Sequence, residues 1–256
     1  METEWELAET QLESRLRTWA IPAALAGAFL IVSTGPGHFL ARIFLTMWVH
    51  ELGHATAAWL CGFPAFPGPW LTPMAESRSG PFGFLVFLAI ASGAFWAWRT
   101  ERRRLCVALG ALLPVQLFCT TALSEARAKQ LIVFMGDGGC MVLGTLLMLS
   151  VYAPEESALK RGWLRWGFLV IGAAAFADAF AQWWASRTDF DRIPFGMNEG
   201  AGLSDPSVLS ETYFWSTDQI VHRYVVVGCI CLAVLAVSYT LALLRQRRTS
   251  VPTEQV

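Results

Sequence analysis

The sequence predicts an all-α membrane protein, a polytopic bundle of six to seven transmembrane helices with a proline-rich re-entrant or extended loop. Three observations carry that expectation. Of the 256 residues, 55% are hydrophobic and 15% charged, and the mean hydropathy is positive, a balance too apolar for a soluble domain of this length. Seven stretches approach or exceed the roughly 18 to 20 apolar residues that cross a hydrocarbon core as helix. The basic residues fall in short clusters between those stretches and the net charge is -1. That pattern marks topology and excludes nucleic acid as a partner class.

The first stretch, 18–35, follows acidic and polar residues rather than a basic then apolar leader, so it reads as a retained span. The second covers 39–62. After it, Pro64, Pro67, Pro69 and Pro73 rule out a regular helix over 63–80, because each removes a backbone donor and clashes with the preceding turn. Stretches 81–98 and 105–123 flank Arg99, Arg102, Arg103 and Arg104; stretches 131–152 and 162–185 flank Lys160 and Arg161, with Arg165 just beyond. The last, 221–244, is followed by Arg245, Arg247 and Arg248. With seven alternating spans these three clusters share a side, expected to be cytoplasmic with the N-terminus outside, while Arg127 and Lys129 fall opposite. The first and third stretches are short enough to be tilted, interfacial or re-entrant, hence six to seven.

One integral membrane domain over 1–256 is expected, with a core at 39–152 and an extramembrane acidic loop at 186–220. That loop, with Asp189, Asp191, Glu199, Asp205, Glu211 and Asp218, reads as solvated connection rather than as a lid. The six cysteines lie in or beside apolar stretches without the spacing of a disulfide framework or zinc ribbon, and read as small packing residues.

Chemistry is concentrated in the second stretch, which contains His50-Glu51-Leu52-Gly53-His54. Residues four apart stack on one helical face, so both imidazoles can reach one cation, while Glu51 is placed to act on a water beside it. Ionisable side chains inside a span are costly and usually mark function. A third ligand is needed, and two buried carboxylates compete for it. Asp137 lies in Phe134-Met135-Gly136-Asp137-Gly138, where glycines allow close approach. At the helical rise, His54 and Asp137 lie roughly 12 Å and 10 Å from the outer ends of their helices, level if those helices run antiparallel. Asp178, in Phe176-Ala177-Asp178-Ala179, sits at similar depth, and its plainer reading is a carboxylate paired with an arginine or lining a wet cavity. Gly136, Gly138 and Asp178 are the candidates for substrate contact or support of the ligands. Glu125 reads as a solvated ion-pair partner of Arg127, and His38 and His222 as interfacial histidines.

The pairing of His50-Glu51-Leu52-Gly53-His54 with a later Asp137-Gly138 resembles the site-2 protease family of intramembrane zinc metallopeptidases. The resemblance covers roughly 39–152 and implies zinc held by His50, His54 and Asp137, with Glu51 as catalytic base. Ala58 and Gly62 look like the small residues common there, and the proline-rich segment corresponds to the family's membrane-associated loop. The chain departs from the family in having Phe134-Met135-Gly136 where Asn and Pro often precede Asp-Gly, two apolar segments between the motifs, and no segment that fits a PDZ-like domain. The function so implied is a zinc metalloendopeptidase acting on a membrane protein or peptide at or within the bilayer, expected in a bacterial inner membrane. The alternatives are a catalytically silent metal-binding membrane protein and an ion-relaying transporter.

Overall fold

The computed structural model describes residues 4–153, 157, 164–198 and 202–249. It is almost entirely helical. Helix α1 (Glu4–Val32) ends at a break where Thr34 caps α2 (Gly35–Ala41), its hydroxyl accepting from Gly37 N at 3.2 Å. The glycine-proline-glycine run at 35–37 explains the break, since proline suits a first helical turn and not a continuation. From α2 the chain passes through a π turn (Arg42–Thr46) into α3 (Met47–Leu60). Then follow α4 (Gly80–Arg99), α5 (Arg103–Thr121), α6 (Glu125–Leu149) and α7 (Leu164–Ala185). A two-stranded antiparallel pair, β1 (Met197–Asn198) and β2 (Gly202–Leu203), precedes the short α8 (Asp205–Ser207) and the long α9 (Thr217–Thr249).

Five of these helices among the described residues are long and apolar enough to cross a membrane, or six if the segment Thr18–Val32 and the run Gly35–Leu60 form one broken span. The two arms of that pair meet at 116°. The stretches 18–35 and 39–62 are therefore a bent pair, in keeping with a first stretch short enough to be tilted or re-entrant, and the described residues give at most six spans, the lower end of the expected six to seven. Only 11% of the span window of α4, and of α5, is fully buried, so much of the apolar surface of these two helices faces outward. In a lipid environment that exposure carries no hydrophobic penalty, which accounts for an exposed Phe84, Trp98, Val107 and Phe118.

Contacts divide the chain into two compact units. The first takes the described residues of Met1–Val49, Cys140–Ile193 and Asp218–Val256. Here α7 supplies a fully buried row including Phe176, Ala177, Asp178 and Trp183, and Trp183 stacks on Tyr224 of α9 with ring centroids 4.2 Å apart. Asp178 meets His38 Nε2 at 2.8 Å and Arg42 Nη1 at 3.1 Å, the arginine pairing anticipated for it.

The second unit comprises His50–Gly139 and Pro194–Thr217. Its core gathers Ala57, Ala58, Cys61, Phe63, Cys119, Ala128 and Ile132. The proline-rich segment is extended, folding back as an antiparallel hairpin through Phe66 N to Pro73 O (3.0 Å), Gly68 N to Leu71 O (3.1 Å) and Ala75 N to Pro64 O (2.9 Å). Within the α4–α5 hairpin, buried Gln116 donates to the Gly83 carbonyl at 3.1 Å and to the Thr120 hydroxyl at 2.8 Å. Glu125 pairs with Lys129 at 3.2 Å, one helical turn on, instead of with Arg127.

Candidate metal centre

Helix α3 carries His50 and His54 on one face, and α6 passes close beside them. Two glycines permit the approach. A Cβ on Gly53 would run into the Met135 carbonyl oxygen, and one on Gly139 would lie 2.5 Å from Gly53 Cα. Either addition would force the helices apart and carry the histidines with them.

Each imidazole is oriented through Nδ1. That nitrogen of His54 lies 2.7 Å from the Ile132 carbonyl oxygen, and that of His50 lies 3.0 Å from Asp137 Oδ1. A carbonyl oxygen only accepts, so His54 Nδ1 carries the proton, and the Asp137 carboxylate imposes the same choice on His50. A neutral ring with its proton on Nδ1 presents a bare lone pair at Nε2. The two Nε2 atoms face each other at 3.2 Å.

The third corner comes from a segment that read as solvated loop. Asp205, at the start of α8, brings Oδ2 to 3.2 Å from His50 Nε2 and to 3.2 Å from His54 Nε2. This oxygen is buried and has no aligned hydrogen-bond donor. A carboxylate oxygen and two imidazole nitrogens, each 3.2 Å from the other two, form an equilateral triangle.

That triangle fits a metal ion. Around a tetrahedral cation with ligand bonds of about 2.0 to 2.1 Å, the ligand atoms lie about 3.3 Å apart, against 3.2 Å on all three edges here. Three atoms holding lone pairs at that spacing repel one another unless a proton or a metal ion lies between them. His50, His54 and Asp205 are therefore a group that could hold a metal ion.

Asp137, expected as the third ligand, meets the His50 ring at Nδ1 rather than Nε2, and with His50 it belongs to a second group that could hold a metal ion. The physical reason is its helix position: α6 brings the Asp137 carboxylate to the ring's far edge, whereas Gly136 is the residue that borders the cluster. A Cβ there would lie 2.5 Å from His50 Cε1 and 2.6 Å from His50 Nε2, and would also strike Asp205 Oδ2. Gly138 faces the Phe134 ring instead, and Asp178 belongs to the His38 and Arg42 group of the first unit.

Glu51 is buried, at 4% exposure. The Thr72 hydroxyl lies 2.7 Å from its Oε2 and 3.0 Å from its carbonyl oxygen, so the proline-rich hairpin holds the glutamate in place. Neither Thr72 nor Asp205 was legible as a site residue. The one signal for Asp205 is Ser204-Asp205-Pro206, a serine and aspartate ahead of a proline, which is common at the start of any helix and points to no ligand.

Comparison with family models, with curated proteins and with solved structures matches this chain to none of them.

Proposed function

We propose that this chain is a zinc metalloendopeptidase of the site-2 protease type, cutting peptide bonds of membrane-embedded or membrane-proximal substrates. The observation that carries the reading is the 3.2 Å triangle of His50 Nε2, His54 Nε2 and Asp205 Oδ2, with buried Glu51 in the same helix. Two nitrogens and one carboxylate oxygen suit zinc better than calcium or magnesium, which favour all-oxygen sites. Bound zinc would supply Lewis-acid activation of water and of the scissile carbonyl at neutral pH.

The chain's own residues divide the remaining work. His50, His54 and Asp205 hold the ion; Asp137 and the Ile132 carbonyl fix both rings with Nε2 inward. Glu51 takes the proton of the attacking water, and Thr72 holds that carboxylate in place. A substrate helix shields its peptide bonds with its own hydrogen bonds, so cleavage requires local unwinding. The extended hairpin at 62–79, anchored to Glu51 by Thr72, is suited to receive an unwound segment as a strand.

The test is cleavage of a transmembrane peptide by the full chain in lipid vesicles. Wild-type protein loaded with zinc should cut it, and a chelator should stop the reaction. Glu51→Gln should hold zinc as wild type does and cut nothing. Turnover by that variant would refute the base, and zinc binding without cleavage by wild type would favour the silent metal-binding role.

A further inference from the structure

The second unit holds a pair of thiols that the proposed chemistry does not use. Cys61 follows α3 directly and Cys119 lies near the end of α5; both are buried in one core cluster. Neither is in a disulfide here, and both pack within that one cluster. Their chain neighbours are fastened together as well, since the Thr120 hydroxyl donates to the Leu60 carbonyl at 2.9 Å. The Arg78 guanidinium completes the arrangement. It donates to the carbonyls of Thr120 (2.8 Å), Leu123 (3.1 Å) and Cys119 (3.4 Å) and lies 5.6 Å from the centroid of the Phe63 ring.

The end of the hairpin at which these thiols lie decides their chemistry. The turn between α4 and α5 carries Arg99, Arg102, Arg103 and Arg104, the basic cluster that marks a cytoplasmic loop. Cys119 is 16 residues beyond Arg103 in α5, about 24 Å along the axis. That distance carries it to the opposite, extracytoplasmic face, and Cys61 meets it there. Thiols on that side encounter oxidising conditions.

We propose that Cys61 and Cys119 are a disulfide site, closed in the working protein to tie the end of α3 to the end of α5. The co-reactant is a disulfide of the extracytoplasmic compartment, protein or small molecule. One cysteine thiolate attacks a sulfur of that disulfide and expels the other sulfur as a thiol. The second cysteine then displaces the remaining sulfur, so two electrons and two protons pass to the incoming disulfide, which leaves as two thiols. The bond anchors the end of the helix that carries His54, seven residues before Cys61. It is independent of whether the metal centre hydrolyses peptides.

The test is peptide mapping of the full chain, isolated from membranes quenched with N-ethylmaleimide, with and without prior reduction. The expected result is a linked Cys61–Cys119 peptide pair, about 2 Da lighter than its reduced form, that separates into two alkylated peptides after dithiothreitol. Cys61→Ser should leave Cys119 open to alkylation without reductant, and Cys119→Ser should do the same for Cys61. Alkylation of both cysteines in unreduced wild-type protein would overturn the proposal, as would linkage of either one to Cys106, Cys140, Cys229 or Cys231. Because the decisive readout is on wild-type protein, a variant that fails to fold does not affect it.

Discussion

Asp178 and Asp205 are carboxylates that each meet histidine in the folded chain, and they differ in what balances their charge. In the first unit, Asp178 sits in the middle of α7 with His38 at 2.8 Å and the Arg42 guanidinium at 3.1 Å. A fixed cation is built into the chain. In the second unit, Asp205 faces two imidazoles at 3.2 Å, and among the described residues its ion-pair partners are histidines alone. Its Oδ2 is buried without an aligned donor. The first arrangement is a salt bridge that ties the π turn to α7, and the second has the charge and spacing of a ligand set that a cation completes. Buried aspartate next to histidine does not by itself distinguish these cases; the source of positive charge does.

The largest effect that would sharpen this comparison is loss of metal binding at the proposed site. Asp205→Ala removes one of three converging ligand atoms and should abolish stoichiometric zinc binding, read by elemental analysis of purified protein. Retention of a full equivalent would break the contrast. Next comes Asp137→Asn. Its side chain positions His50 without joining the triangle, so zinc affinity should fall about 10- to 100-fold, as losses of such supporting partners do, measured by competition with a chromophoric chelator. A loss as complete as that of Asp205→Ala would make Asp137 a direct ligand. Gly136→Ala should weaken zinc to a similar or lesser degree, because its methyl group would press on His50 and Asp205.

The smallest expected effect on the metal is none. Arg42→Ala leaves Asp178 buried without its guanidinium and should cost stability near the lower end of the about 3 to 5 kcal/mol seen when one partner of a buried pair is removed, because Arg42 is partly exposed. Zinc content should stay at the wild-type level. A thermal shift paired with metal analysis checks both halves, and zinc loss in this variant would erase the distinction between the two clusters.

Sequence and fold agree where the signal is local. Apolar length fixed the helical membrane class, four prolines fixed the extended segment at 63–80, and the His50 to His54 spacing fixed a shared helix face. Long-range pairing was the part left open. Asp137, a carboxylate mid-span among glycines, does meet His50, but at Nδ1, and it stands in a group that could hold a metal ion. Asp205 carried no local sign of a ligand, because a polar loop residue has no periodicity or burial pattern to betray a partner far away in the chain. The bend after Val32 agrees with a first stretch short enough to be tilted or re-entrant, and Gly35-Pro36-Gly37 marks its place.

The most direct measurement of the central claim is zinc K-edge absorption on the purified full chain in lipid or detergent. Two imidazole nitrogens and a carboxylate oxygen are expected within about 2.0 to 2.2 Å of the ion. A spectrum with sulfur in the first shell or fewer than two imidazoles would contradict it, as would a protein that binds no zinc at all.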